Sequence, residues 1–140
     1  MPLAGGNQII MKIYFPITAN ILTVGHIKCL GWLNNIGDIT IGLLTAKALR
    51  GYKEEWVKFK DRKYILEHLS IPVKVVSQNS LDPYENIKKY KPDAIASGDG
   101  WEKVELEAIK KFKIKKINIP LPKNYSSSDI KNKMCRIKII

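Results

Sequence analysis

KIYFPITANILTVGH, residues 12–26, decides how this chain is read. It opens on a run from Lys12 to Ile17 that is apolar on both faces, as suits a strand covered by helices on each side. It closes on Thr23-Val24-Gly25-His26, the start of a helix whose buried face continues through Ile27, Leu30 and Leu33. Thr23 is a favourable N-cap, and Gly25 lets a ligand approach the backbone closely. His26 falls in the first turn, where its ring can point at a bound anion. A strand that runs into a glycine-bearing helix start is where α/β folds receive phosphate groups.

Outward from this stretch, β-rich runs alternate with helical ones. Further strands are expected at Ile39–Leu44, Val73–Ser77, Ala94–Ser97 and Lys116–Ile119, each apolar on both faces. Helices are expected near Gly25–Asn35, Lys58–Leu69, Pro83–Tyr90, Glu102–Phe112 and Ser128–Lys133. Five such βα units predict an α/β fold, a Rossmann-like three-layer sandwich with a five-stranded parallel sheet. Ligands of such sheets sit beyond the carboxyl ends of the strands. The chemically unusual residues fall there, in segments 16–26, 45–53, 78–83, 98–102 and 120–128. Neither GxxxxGK[ST] nor GxGxxG occurs, so the kinase-type and dehydrogenase-type phosphate loops are excluded.

With 140 residues, the chain has the size of one domain that buries about two thirds of its unfolded surface. Residues 1–10, MPLAGGNQII, read as a leader or non-native extension ahead of Met11, and residues 11–140 as the single domain. The leader lacks the basic start and long apolar stretch of a secretory signal. No apolar run approaches the roughly 20 residues of a membrane span, so no membrane insertion is expected. Cys29 and Cys135, without CxxC spacing, indicate neither a disulfide framework nor a zinc site, and no protein-bound metal is expected. A cytoplasmic location fits these features.

The net charge of +11 invites a nucleic-acid reading. Its make-up argues against one: Arg50, Arg62 and Arg136 are the only arginines, while base-edge and bidentate phosphate recognition favour arginine. The lysines, such as Lys88, Lys89, Lys91, Lys110, Lys111, Lys113, Lys115 and Lys116, read as solvated faces, with a basic mouth for polyphosphate substrates as the next meaning. No nucleic-acid partner is expected.

Residues Thr18 to His26 resemble the (H/T)xGH signature of the nucleotidyltransferase superfamily that includes cytidylyltransferases and phosphopantetheine adenylyltransferase. Residues Gly37 to Thr45 resemble the second strand of glycerol-3-phosphate cytidylyltransferase, and resemble more closely the cytidylyltransferase domains associated with phosphoenolpyruvate mutase and phosphonate tailoring. Asp61 to Leu66 is similar to their arginine-bearing helix start, Lys91 to Glu102 to their KPD…GDDW stretch, and Tyr125 to Lys131 to their ISTT/ISST segment. Five matches in order span nearly the whole domain.

The resemblance implies a Rossmann-like nucleotidyltransferase that moves CMP from CTP, with Mg²⁺ on the triphosphate, to a small phosphate or phosphonate acceptor and releases pyrophosphate. Such an acceptor is already an anion, so catalysis reduces to positioning and to stabilising charge on the phosphoryl groups. By resemblance, His26 donates to the triphosphate and stabilises the transition state, and Thr23 supplies a hydroxyl where many relatives place the first histidine. Gly25, Lys53, Arg62, Gly98, Asp99, Trp101, Ser126, Ser127 and Ser128 are the implied nucleotide and phosphate ligands, the serine run as hydroxyls and N–H groups at a helix start. A homodimer is the implied assembly. Two alternatives stay open: adenylyl transfer from ATP, as in phosphopantetheine adenylyltransferase or archaeal-type FAD synthetase, and a non-catalytic nucleotide- or nucleic-acid-binding module on the same fold.

The sequence departs from the family pattern in three places. Asn20 stands where relatives usually carry an acidic residue, after Pro16-Ile17 in place of a glycine-bearing turn. Ala46 replaces an acidic residue after the second strand, and Leu121 stands where an arginine precedes the serine run, with Lys123 as the candidate substitute. Cys29, one turn beyond His26, reads as a small apolar residue packed on the sheet, not as a nucleophile.

Overall fold

A computed structural model of the chain describes residues 10–97 and 102–120. The chain order is β1 (Met11–Ile17), α1 (Val24–Asn34), β2 (Gly37–Leu44), α2 (Ala46–Leu49), α3 (Phe59–Glu67), β3 (Val73–Gln78), α4 (Tyr84–Tyr90), β4 (Ala94–Ser97), α5 (Glu102–Phe112) and β5 (Lys115–Asn118). The strands form one all-parallel sheet in the order β3-β2-β1-β4-β5. This is the expected Rossmann-like α/β fold. The expected helix at Ser128–Lys133 lies outside the described residues.

The strand pattern dictates the two layers. Alternate residues of a strand face opposite sides. Ile13, Phe15 and Ile17 of β1, with Ile39, Ile41 and Leu43 of β2, pack against Cys29, Leu30 and Leu33 of α1 and Leu66 of α3. Tyr14 and Ile95 point the other way, into a smaller cluster with Val76, Ile87 of α4 and Ala108 of α5. That second layer holds a polar network. Tyr14 donates to Gln78 Oε1 at 2.5 Å, and Asn86 Nδ2 donates both to Tyr14 Oη and to Ser77 O at 2.8 Å. Burial pushes the Tyr14 hydroxyl far above its ordinary pKa, so it stays protonated and serves as a donor. Gly42 makes room for it: a Cβ there would overlap the Tyr14 phenol and come within 2.6 Å of Gln78 Oε1.

Two differences from the sequence expectation have physical causes. The four-residue α2 was not anticipated, because it is too short to show a helical period; Thr45 starts it by accepting from Ala48 N at 3.3 Å. β5 is not apolar on both faces. Among the described residues it is the edge of the sheet, and its Lys116 turns inward to pair with the fully buried Glu105 of α5, next to Ser97 at the end of β4. The opposite edge, β3, carries the exposed Lys74, and β5 carries the exposed Lys115.

Candidate active site

After β3 the chain crosses over β1 to form β4, so strand order reverses between β1 and β4. The crevice beyond their carboxyl ends is where such folds hold ligands. The exit of β1 supplies Thr18 to His26, and the exit of β4 begins at Ser97. Gly98, Asp99 and Trp101, and likewise Ser126, Ser127, Ser128, Leu121 and Lys123, lie outside the described residues.

Thr23 is the N-cap of α1, and His26 is the third helical residue. Thr23 N donates to His26 Nδ1 at 3.0 Å, and Thr23 Oγ1 lies 3.1 Å from the same nitrogen. The pair is thus a capping box in which histidine occupies the place usually held by Glu or Gln. A ring nitrogen that accepts from an N–H carries no proton, which puts the proton of the neutral ring on Nε2. Desolvation, and then the Lys53 ammonium nearby, both lower the His26 pKa. At neutral pH the ring is therefore neutral, anchored through Nδ1, with Nε2–H as its remaining donor. The start of α1 adds N–H groups that have no partner within the helix itself, of which the His26 N–H is taken up by the Thr23 side chain. Gly25 is buried in this turn.

Lys53 follows α2, and its N–H donates to Leu49 O at 3.0 Å. Its side chain is exposed, yet nearby protein desolvates the ammonium enough to lower its pKa. The structure thus brings Thr23 and His26 together, and the Lys53 ammonium lies over the Tyr52 ring, 5.2 Å from its centroid. Lys47 and Arg50 stand exposed on and just after α2.

Arg62 has a different place from the one expected. It was read as a phosphate ligand, but it is 1% exposed, and four of its N–H donors are spent inside the protein. Nε donates to Val57 O at 2.7 Å, Nη1 to Thr18 O at 2.8 Å and Leu44 O at 2.7 Å, and Nη2 pairs with Glu55 Oε2 at 2.6 Å. In this arrangement it ties the ends of β1 and β2 to the segment before α3. Its ion-pair partner is Glu55, not the adjacent Asp61. Nothing in a local pattern marks this role, because every partner except Val57 and Glu55 is remote in sequence.

Asn20, noted only as a departure from the family pattern, is a second anchor. It is 5% exposed; Nδ2 donates to Glu54 O at 2.7 Å, and Oδ1 accepts from Trp56 N at 2.9 Å. A carboxylate cannot make both bonds, since it has no donor. Ala19 before it is buried at φ +54°, a left-handed conformation that costs a non-glycine residue roughly 1 kcal/mol or more. Ala46, the other departure, is exposed at the start of α2. Cys29 packs in the core at 4% exposure, and burial pushes its thiol pKa up, which removes it as a nucleophile.

The family model described as cytidylyltransferase-like matches residues 14–133, most of the chain. The chain belongs to the cytidylyltransferase-like family. Over 87 residues this cytidylyltransferase-like chain is 37% identical to the "Bifunctional protein HldE" of Aliarcobacter butzleri (strain RM4018). That match covers 59% of the chain but only 18% of HldE, so the chain spans a small part of that relative's length. In fold it is similar to the lipopolysaccharide core biosynthesis protein from Thermoplasma volcanium GSS1, with a TM-score of 0.70 at 18% identity, covering 81% of this chain and 98% of that one. It also resembles Leishmania major tyrosyl-tRNA synthetase, with a TM-score of 0.55 at 13% identity, covering 95% of this chain and 33% of that one. These two likenesses speak for the fold. The cytidylyltransferase-like match spans Thr23, His26, Lys53 and Arg62 alike.

Proposed function

We propose that this nucleotidyltransferase moves a cytidylyl group from CTP to a small phosphate- or phosphonate-bearing acceptor. An acceptor oxygen attacks the α-phosphorus, the bond from the α-phosphorus to the bridging oxygen breaks, and pyrophosphate leaves with that electron pair. The acceptor is ionised at neutral pH, so no base is required. The site's task is to stabilise charge that grows on the phosphoryl oxygens. The observation that carries this reading is His26: neutral, fixed through Nδ1 by Thr23, with Nε2–H left to donate at the positive end of α1. Among the described residues no group of three His, Cys, Asp or Glu could hold a metal ion. Magnesium enters this proposal as part of the triphosphate substrate. A cytoplasmic homodimer belongs to the same reading; among the described residues no helix is long and apolar enough to cross a membrane.

Adenylyl transfer from ATP is the second reading, favoured by Thr23 at the first position of the motif, the form shared with phosphopantetheine adenylyltransferase. Pyrophosphate release measured across the four nucleoside triphosphates with a panel of phosphate and phosphonate acceptors tests both. CTP-dependent release is the expected result. Release with ATP alone selects the second reading, and no release with any pair overturns the enzymatic assignment.

A further inference from the structure

At the end of the sheet opposite the crevice, three strand entries are drawn together by Asp93. Its N–H donates to Lys12 O at 2.8 Å, its carbonyl accepts from Lys115 N at 3.1 Å, and its Oδ2 accepts from Lys12 N at 2.8 Å. The entries to β1, β4 and β5 therefore lie side by side, in the register Ile13 to Ala94 to Lys115. Each entry carries lysine: Lys12 and Lys115 stand in the strands, and Lys91 and Lys113 come two residues ahead of Asp93 and Lys115. At the same end, Lys74 of β3 and Lys89 of α4 both reach the Tyr90 ring, with their ammonium groups 5.1 and 5.3 Å from its centroid. All six lysines are exposed. Two carboxylates share this end, Asp93 and Asp38, the latter opposite Lys12 on β2, so six ammonium groups against two carboxylates leave four positive charges. These lysines lie away from the crevice and form no basic mouth for a polyphosphate.

A helix dipole favours a cation at its carboxyl end, which accounts for Lys89, Lys91 and Lys113. It does not account for Lys12, Lys74 and Lys115, which stand on strands. Lys91 and Lys113 also hold left-handed positions, φ +49° and +53°, where glycine is the usual residue, so charge is kept there against a conformational cost.

We propose that this end of the sheet docks on an anionic lipid surface. Clustered lysines gain from the negative potential of such a surface without a fixed partner geometry, which suits compact ammonium charges on flexible stems. A nucleic acid is met better by arginine, and the described arginines, Arg50 and Arg62, lie at the other end, after α2 and near the start of α3. Docked through its strand entries, the protein keeps the crevice with Thr23 and His26 turned away from the lipid and open to solution. The docking surface is independent of the reaction proposed above, and its test needs no nucleotide.

The full chain is sedimented at about 0.15 M salt with vesicles of phosphatidylcholine, alone or with about one third phosphatidylserine. The wild type should bind the anionic vesicles and not the neutral ones, more weakly as salt rises. Lys89→Gln/Lys91→Gln/Lys113→Gln should weaken this binding by roughly a hundredfold, the scale for three lysines at an anionic leaflet. Lys58→Gln/Lys60→Gln/Lys103→Gln removes the same charge from exposed lysines beside the starts of α3 and α5, on the crevice end. It should weaken binding by less than about threefold, because a strand's length exceeds the Debye length of about 8 Å. If the first triple does not fold, Lys12→Gln/Lys74→Gln/Lys115→Gln is read in its place. No binding to anionic vesicles overturns the proposal. So do equal losses from the two triples, which would reduce the effect to net charge. Duplex DNA added at the same concentration of anionic charge should leave the protein on the vesicles; displacement assigns this end to nucleic acid and overturns the proposal as well.

Discussion

Thr23 and His26 on one side, and Asn20 and Arg62 on the other, meet around the same β1 exit, but they use their polar atoms in opposite ways. His26 is anchored at one ring nitrogen, Nδ1, and keeps a donor in reserve on the other. Arg62 keeps almost nothing: its hydrogen bonds end on Val57, Thr18, Leu44 and Glu55. A group with unspent hydrogen-bonding capacity at a strand end is available to a ligand, whereas a group whose capacity is consumed internally holds the frame. Charge alone does not separate the two, and it would have ranked Arg62 first.

The largest expected effect lies on the frame side. Arg62→Leu removes the buried partner of Glu55 and strands three carbonyls, and should cost about 3 kcal/mol of stability in urea denaturation, the low end for a broken buried charge pair. A loss below about 1 kcal/mol, within the range of an ordinary substitution, would return Arg62 to the ligand-binding side. His26→Ala should behave in the opposite way. Its kcat should fall by roughly 10²-fold, as when a transition-state donor is lost, with a melting temperature near that of the wild type. A variant that melts early while its residual kcat stays high would break the comparison.

Thr23 belongs to both sides, since it caps α1 and anchors the ring. Thr23→Ala should cost about 1 kcal/mol of stability, as lost N-caps do, together with a fall in kcat smaller than that of His26→Ala. The dependence on pH is subtler. His26 has a folded-state pKa below its unfolded value near 6.5, so the unfolded chain takes up the proton first as pH falls. The stability held by the neutral ring is present above that value and is lost as pH drops through it. Denaturation at pH 7 and pH 5 should show a smaller decrease for His26→Ala than for the wild type; equal decreases would mean that the ring is not held neutral. The smallest effect is expected at His68. It is exposed, stacks on Tyr64 at 3.9 Å and contacts its own helix at Tyr64 O, so His68→Ala should leave kcat unchanged within error.

How much of this was legible follows from what sequence encodes locally. Ala94–Ser97 and Glu102–Phe112 were readable to the residue, because an apolar run and a helical period are properties of neighbours. The Thr23–His26 motif was readable for the same reason. The clamp was not: the burial of Arg62 depends on the exits of β1 and β2 arriving together, and Asn20 finds its partners more than thirty residues away. The lysine count pointed to solvated faces, which hid Lys116, whose ammonium is drawn inward by a carboxylate on α5.

That inward lysine bears on how the protein avoids sticking to itself. Among the described residues β3 and β5 are the outermost strands, and the outer side of such a strand is a template onto which another chain can add a strand. Lys74 and Lys115 set a positive charge on each rim, so two copies approaching rim to rim bring like charges together. Lys116 adds a second obstacle, because a longer, flatter β5 that recruited a neighbour would have to keep its ion pair with Glu105 intact. Lys74, Lys115 and Lys116 thus bear on how sheet edges meet, apart from any attraction to phosphate.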